Sequence, residues 1–200
     1  MKIEKDREST EQRLLGAVGD MIKEQGLECL GINVIAQRAG VSKMLIYRYF
    51  GSLEELIARY IMTRDYWVNV PTEVPGKKDL NPFLKKLFSE QIRQLRSDKI
   101  LIRLYRWELT THNSVVEEIR KKREKNGVLL IEYISRISGV SYQQVQSLAT
   151  LISSAITYLA MFGDVCEVYN GLPLQEETAW EQLEEGIHLI IDQWSRENNL

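Results

Sequence analysis

The sequence predicts an all-α protein of about nine helices, and three observations lead to that prediction. The 200 residues include only 12 glycines and 4 prolines, so turns are few. Apolar residues recur at helical spacing along most of the chain, and no segment alternates apolar and polar residues as a strand does. Hydrophobic residues make up 44% of the chain and charged residues 27%, which is typical of a folded soluble domain.

Four helices are predicted in the N-terminal third. A capping box at 9–12 opens the first helix, and a short second helix follows. A tight turn at Gly40 joins it to a third helix over about 42–50. A second capping box, at 52–55, opens a fourth helix over about 53–69.

Five more helices are predicted after a loop that contains two prolines and a glycine, at 70–79. They cover about 82–96, 98–110, 113–137, 141–169 and 175–196. We therefore expect two domains: a helix-turn-helix domain over 1–52 and a C-terminal domain over 53–200, with the helix at 53–69 as connector.

Charge is distributed unevenly, although the net charge is only −2. No acidic residue occurs between Glu28 and Glu54, and this window carries Arg38, Lys43 and Arg48. A local excess of positive charge on two short helices joined by a glycine turn favours nucleic acid as the partner.

The third helix has the pattern of a recognition helix. At 100° per residue, Ile46 and Phe50 point together toward a core, while Met44, Tyr47 and Arg48 point away. One side would hold the helix on the domain, and the other would enter the major groove of DNA.

Several short motifs in this region resemble one family. They are Ile35-Ala36, Ala39-Gly40-Val41-Ser42, Tyr47-x-Tyr49-Phe50 and Ser52-x-Glu-Glu-Leu56. Together they resemble the DNA-binding domain of the TetR family of transcriptional regulators, over roughly 9–60. The resemblance implies a homodimer on a palindromic double-stranded DNA operator, most simply a repressor that a small-molecule effector releases.

The resemblance also assigns DNA-contacting positions. They are Asn33, Ser42, Lys43, Met44, Leu45, Tyr47, Arg48 and Tyr49. The chain departs from the family's usual residues at Met44, Leu45 and Leu53. Two apolar tips on the recognition helix should favour thymine methyl groups over hydrogen-bonded readout, and Leu53 removes a lysine–phosphate contact.

Two C-terminal helices carry apolar stripes with alternating spacings of three and four residues, which suits a four-helix dimer interface. The predicted interface residues are Leu148, Ile152, Ala155, Leu159, Trp180, Leu183, Ile187, Ile190 and Trp194. The alternative is an internal core.

A ligand pocket is predicted from aromatic and polar residues that core packing also accommodates. Its candidates are Trp67, Arg103, Tyr105, Trp107, His112, Tyr158, Met161 and Phe162. Arg103 leads this group because an arginine in an apolar helix, if buried, needs an anionic partner.

Other classes of function find little support in the sequence. Glu185-x-x-His188 occurs once, whereas a di-iron bundle needs that motif twice. We expect no enzyme, no cofactor and no membrane span. A cytoplasmic location is expected because the two cysteines form no disulfide framework. The alternative is a helical dimerisation or adaptor module that no longer binds DNA.

Overall fold

Helices make up most of the chain in the computed structural model, which describes residues 2–200. Within that part of the chain the helices are α1 (Lys2–Gln25), α2 (Ile32–Arg38), α3 (Lys43–Phe50), α4 (Leu53–Arg64), α5 (Tyr66–Asn69), α6 (Leu80–Ser97), α7 (Lys99–Thr110), α8 (Ser114–Ser138), α9 (Tyr142–Phe162) and α10 (Glu177–Glu197). The predicted all-α class is confirmed.

Serine side chains begin α3 and α4 where the sequence predicts them. The hydroxyl oxygen of Ser42 accepts a hydrogen bond from the backbone N–H of Met44 at 3.3 Å. Ser52 does the same for Glu55 at 3.1 Å, at the start of α4. Each cap satisfies one of the N–H groups that the first turn of a helix leaves without a partner.

The capping box predicted at 9–12 is wrong, because α1 begins at Lys2 and Ser9 lies inside it. The hydroxyl of Thr10 donates back to the carbonyl of Asp6 at 2.8 Å, as a residue within a helix can. Arg7 and Glu11 form an i,i+4 ion pair at 2.7 Å, which supports the added turns.

The predicted fourth helix is interrupted at Asp65, whose backbone is extended. The buried Asp65 carboxylate accepts the N–H of Val68 at 2.9 Å, so it starts the separate short helix α5. A side chain that offers the backbone a local acceptor competes with the continuing helix.

Two predictions are wrong near the C-terminus: that the chain has no strands, and that one helix covers 141–169. The helix ends at Phe162, and an antiparallel hairpin follows, with β1 (Val168–Tyr169) paired to β2 (Leu172–Pro173). Asn170 and Gly171 connect the strands with φ of 49° and 84°. Asn-Gly is the preferred pair for such a turn, so the sequence carried the signal.

The chain divides into two compact units that differ from the predicted boundary at 52/53. The first unit extends to Asn69 and also includes Lys99–Lys122; the second comprises Val70–Asp98 and Arg123–Leu200. The helix predicted as connector belongs with the first unit because α4 packs on α1 and α3. The units are defined by which helices pack together, and the order of the helices along the sequence does not reveal those contacts.

The core of the first unit surrounds α1. Its most deeply buried side chains include Leu14, Val18, Ile22, Ile35, Ile46 and Leu56. Leu104 from α7 and Ile119 from α8 complete the same cluster. Burial of this apolar surface holds the three N-terminal helices together, since each short helix alone is marginal in water.

The second unit is built on α6, which packs against both α9 and α10. Asn81 links α6 to α10 by donating to Asp192 at 3.0 Å and to Ser195 at 2.9 Å. Lys85 pairs with the same carboxylate at 2.6 Å, and these contacts hold the pKa of Asp192 below its usual range.

By length and composition, α9 is the one helix of residues 2–200 that could cross a membrane, with a mean hydropathy of 1.4. Internal helices of helical bundles meet the same criterion. The contact with α6 covers one side of α9, while Leu151, Ala155 and Tyr158 remain exposed on another.

The two capping boxes supply a matched test of the helix boundaries. Ser52→Ala is expected to lower the free energy of unfolding by about 1 kcal/mol, because the N–H of Glu55 loses its acceptor. Ser9→Ala should leave it unchanged or slightly raised, since alanine is the better helix former. Urea unfolding followed by circular dichroism measures both, and equal losses would contradict the start of α1 at Lys2.

Candidate nucleic-acid interface

The third helix is held by its apolar side, as its sequence predicts. Ile46 is fully buried in the core of the first unit, and Phe50 packs against that core. Gly40 has a φ of 64°, a conformation that favours glycine, and so permits the tight turn between α2 and α3. The N–H of Val41 closes the turn on the carbonyl of Ala36 at 3.0 Å.

The opposite side of α3 faces solvent. Met44 is 65% exposed and Tyr47, one turn later, is 49% exposed. Lys43 and Arg48 are exposed beside them. The predicted DNA-contacting residues that the structure leaves exposed are Asn33, Ser42, Lys43, Met44, Tyr47 and Arg48.

Leu45 and Tyr49 are only half-buried and differ from the other predicted contact residues. Tyr49 packs against the core of the first unit, and the Arg7 guanidinium lies 5.3 Å from the centre of its ring. Arg7 precedes the first helix predicted from the sequence, which begins at residue 9, and so Arg7 is not among the predicted contact residues. The added turns of α1 therefore approach the last turn of the recognition helix.

The local positive charge is smaller than the sequence predicts. Glu24, from α1, forms a two-point ion pair with Arg38, with one contact at 2.8 Å. This carboxylate raises the pKa of Arg38 and neutralises it. The charge count over residues 28–54 does not include Glu24, which α1 places beside Arg38. Lys43 and Arg48 remain as the cations on the exposed face of α3.

Part of the predicted dimer interface is wrong. Ile152 and Trp180 are buried within the protomer, and the indole N–H of Trp180 donates to the carbonyl of Leu174 at 2.8 Å. The remaining predicted interface residues, all half-buried or exposed, are Leu148, Ala155, Leu159, Leu183, Ile187, Ile190 and Trp194. The outward stripe of α9 also includes Leu151 and Tyr158, since α9 is apolar on two stripes and the second faces solvent.

The predicted ligand residues divide between the two units. Trp67, Arg103, Tyr105, Trp107 and His112 belong to the first, and Tyr158, Met161 and Phe162 to the second. Tyr105 is buried, whereas His112 is exposed. In the second unit Tyr158 stacks on Phe162 with ring centres 5.2 Å apart, and both rings meet Tyr169 edge-on.

Arg103 is exposed, so the premise that it is a buried arginine in need of an anionic partner is wrong. The guanidinium donates to the carbonyls of Ile22 at 2.8 Å and Lys23 at 3.0 Å. These carbonyls lie in the last turn of α1, where a cation also interacts favourably with the helix dipole. Arg103 thus ties α7 to the end of α1.

A cleft of about 450 Å³ lies between α6 and α10, and none of the predicted ligand residues lines it. Ser89, Arg96 and Glu184 are among its lining residues. Ser89 lies 3.0 Å from the Nε2 atom of His188 but donates its proton to Glu184. Ser89 is thus hydrogen-bonded to a carboxylate and lies within hydrogen-bond distance of a histidine.

The geometry defines a helix-turn-helix domain with an exposed third helix, and comparison with known proteins shows which family model this domain matches. Residues 16–60 match the family model described as bacterial regulatory proteins, tetR family. No curated protein matches the chain by sequence. The match lies within the helix-turn-helix domain and covers less than half of the chain, so the similarity to the TetR family is a property of this domain.

Solved structures extend the similarity of fold to most of the chain. FadR, a fatty acid degradation regulator from Bacillus halodurans, superposes with a TM-score of 0.63 at 20% identity, over 91% of this chain and 94% of that one. A putative TetR-family protein from Mesorhizobium loti superposes with a TM-score of 0.63 at 15% sequence identity, over 95% of this chain and 96% of that one. A TetR-family regulator from Streptomyces coelicolor superposes with a TM-score of 0.59 at 16% identity, over 96% of this chain and 86% of that one.

Proposed function

We propose that the protein is a sequence-specific DNA-binding transcriptional regulator, most simply a repressor that a small-molecule effector releases. The observation that carries this proposal is the placement of α3. Its buried side fixes it on the core, and its exposed side presents Lys43, Met44, Tyr47 and Arg48. This is the arrangement that a helix needs in order to enter the major groove.

The partner for the exposed face of α9 is a second copy of the chain. Leu151 is 68% exposed, and Tyr158, Leu189 and Ile190 are also exposed on α9 and α10. Apolar surface of this extent on two long helices marks an interaction site. A two-fold dimer would present two recognition helices to half-sites about 34–36 Å apart, which matches successive major grooves.

Release by an effector draws support from a buried polar group in the second unit. Gln91 is fully buried on α6, and its amide donates to the carbonyl of Ser153 at 3.2 Å and the hydroxyl of Thr157 at 3.1 Å. Its Oε1 atom has no hydrogen-bond partner among the described residues. A buried acceptor left unpaired is costly, so a donor from a water molecule or from a bound ligand would be favoured there.

An effector that fits better when the recognition helices are misplaced must weaken DNA binding by the same factor. Because Arg103 joins α7 to the end of α1, a shift of α7 would reach the DNA-binding domain through that contact.

The adaptor alternative loses one of its supports. Leu53, which stands in place of a phosphate-binding lysine, is half-buried against the core of the first unit. Packing at the start of α4 therefore explains why position 53 is apolar, and a loss of DNA binding is not needed to explain it.

DNA binding is tested through its dependence on salt. Lys43→Ala should weaken binding to random-sequence duplex DNA and reduce the slope of log affinity against log salt by about 0.9, because one phosphate contact is lost. Lys77→Ala, an exposed lysine of the second unit, is the control and should change neither. Fluorescence anisotropy from about 50 to 200 mM salt measures both. Failure of the wild-type chain to bind at any salt would favour the adaptor.

Dimerisation is tested by placing a charge on the outward face of α9. Leu151→Glu should convert the protein from a species of twice 23.3 kDa to one of 23.3 kDa, since the symmetry buries two carboxylates at one interface. Leu109→Glu is matched in exposure, 64% against 68%, and lies on α7. It should leave the mass unchanged in sedimentation equilibrium. A wild-type monomer would contradict the proposed dimer.

A further inference from the structure

The exposed apolar side chains of the first unit are concentrated on its helix-turn-helix. Among the described residues of that unit, the large apolar side chains that remain exposed are Val34, Met44, Tyr47 and Leu109. Three of these four lie on α2 and α3. Folding gains nothing from leaving them in water, so their position marks a contact surface.

The chemistry of α3 limits what this surface can read. The helix reads Lys-Met-Leu-Ile-Tyr-Arg-Tyr-Phe and contains no Asn, Gln, Asp or Glu. Asn and Gln are the side chains that pair with adenine, and Asp and Glu accept from cytosine. The oxygen of Ser42 is used by the N–H of Met44. For the exposed side chains of α3, this leaves guanine acceptors or phosphates for Lys43 and Arg48, the methyl group of thymine for Met44, and a hydroxyl on Tyr47 that can donate or accept.

Position within the helix selects Met44 as the reader of that methyl group. It is the second residue of α3, and the N-terminal residues of a recognition helix are those that contact base edges. Its unbranched thioether chain adapts to an apolar partner. Tyr47 follows on the same side, one turn later, with 49% of its surface exposed.

We propose that Met44, with Tyr47 beside it, recognises thymine C5-methyl groups in the operator. This inference rests on the proposed DNA-binding function and specifies its readout. Each half-site then contains thymine opposite the N-terminal turn of α3. The flanking cations favour DNA over an apolar protein surface as the partner, because they would bind the phosphates on either side.

Replacing thymine by uracil tests the inference, since the exchange removes the methyl group and keeps every base-pairing edge. The full-length protein first selects duplexes from a random pool made with thymidine, at about 0.15 M salt. Single thymines of the enriched duplex are then replaced by deoxyuridine. At the position that Met44 reads, affinity should fall about three- to fourfold for the wild type, the effect of one buried methyl group.

Variants of the protein show which side chain is responsible. In Met44→Ala the same exchange of thymine for uracil should change affinity by less than about 1.5-fold, because the methyl group has no partner left to lose. Leu109→Ala, which shortens an equally exposed apolar side chain on α7, should keep the full three- to fourfold loss.

The outcomes separate this inference from the function on which it rests. An enriched palindrome whose affinity is insensitive to uracil, or equally sensitive in Met44→Ala, would overturn thymine readout and leave DNA binding intact. Folded protein that enriches no duplex would overturn both, and the exposed face of α3 would then be a surface for a protein partner.

Discussion

Burial of Ile46 is the constraint on which the DNA-binding surface depends. A helix of eight residues is marginal on its own in water, so α3 holds its place only through the core formed by α1, α2 and α4. With Ile46 fully buried, the helical repeat leaves Met44 and Tyr47 no direction but outward. The turn at Gly40 and the cap at Ser42 fix where the helix begins.

Ion pairing within the first unit decides how much positive charge is left for DNA. Glu24 occupies Arg38 and Glu11 occupies Arg7, and each carboxylate raises the pKa of its arginine. In the proposed complex these two arginines are already paired with carboxylates, so they would add little to the salt-dependent part of the affinity. Discrimination between sequences would then depend on contacts with base edges, for which the apolar side chains on the exposed face of α3 are proposed.

Features that depend on neighbouring residues were predictable from the sequence. The caps at Ser42 and Ser52 and the positive φ of Gly40 need only a few residues in order, so the pattern sufficed. The hairpin turn at 170–171 also has a local signal, Asn-Gly, but the apolar run before it favoured a helix that continues to residue 169.

Features that depend on distant contacts were not predictable. A helix with two apolar stripes does not reveal which one faces inward, and so Ile152 was assigned to an interface although it is buried within the protomer. The apolar sequence of α7 predicts an anionic partner for Arg103, yet its partners are carbonyls 80 and 81 residues earlier in the chain. Pairings such as Glu24 with Arg38 likewise exist only once α1 packs on α2.

Photo-cross-linking from α3 would test most directly whether its exposed face reads DNA. A benzoylphenylalanine in place of Tyr47 keeps an aromatic side chain at the same exposed site, and the same residue in place of Leu109 serves as reference. The account predicts that the label at position 47 links to bases at two symmetric positions of a bound duplex and that the label at 109 does not. Equal linking from both positions, or none to DNA, would contradict it.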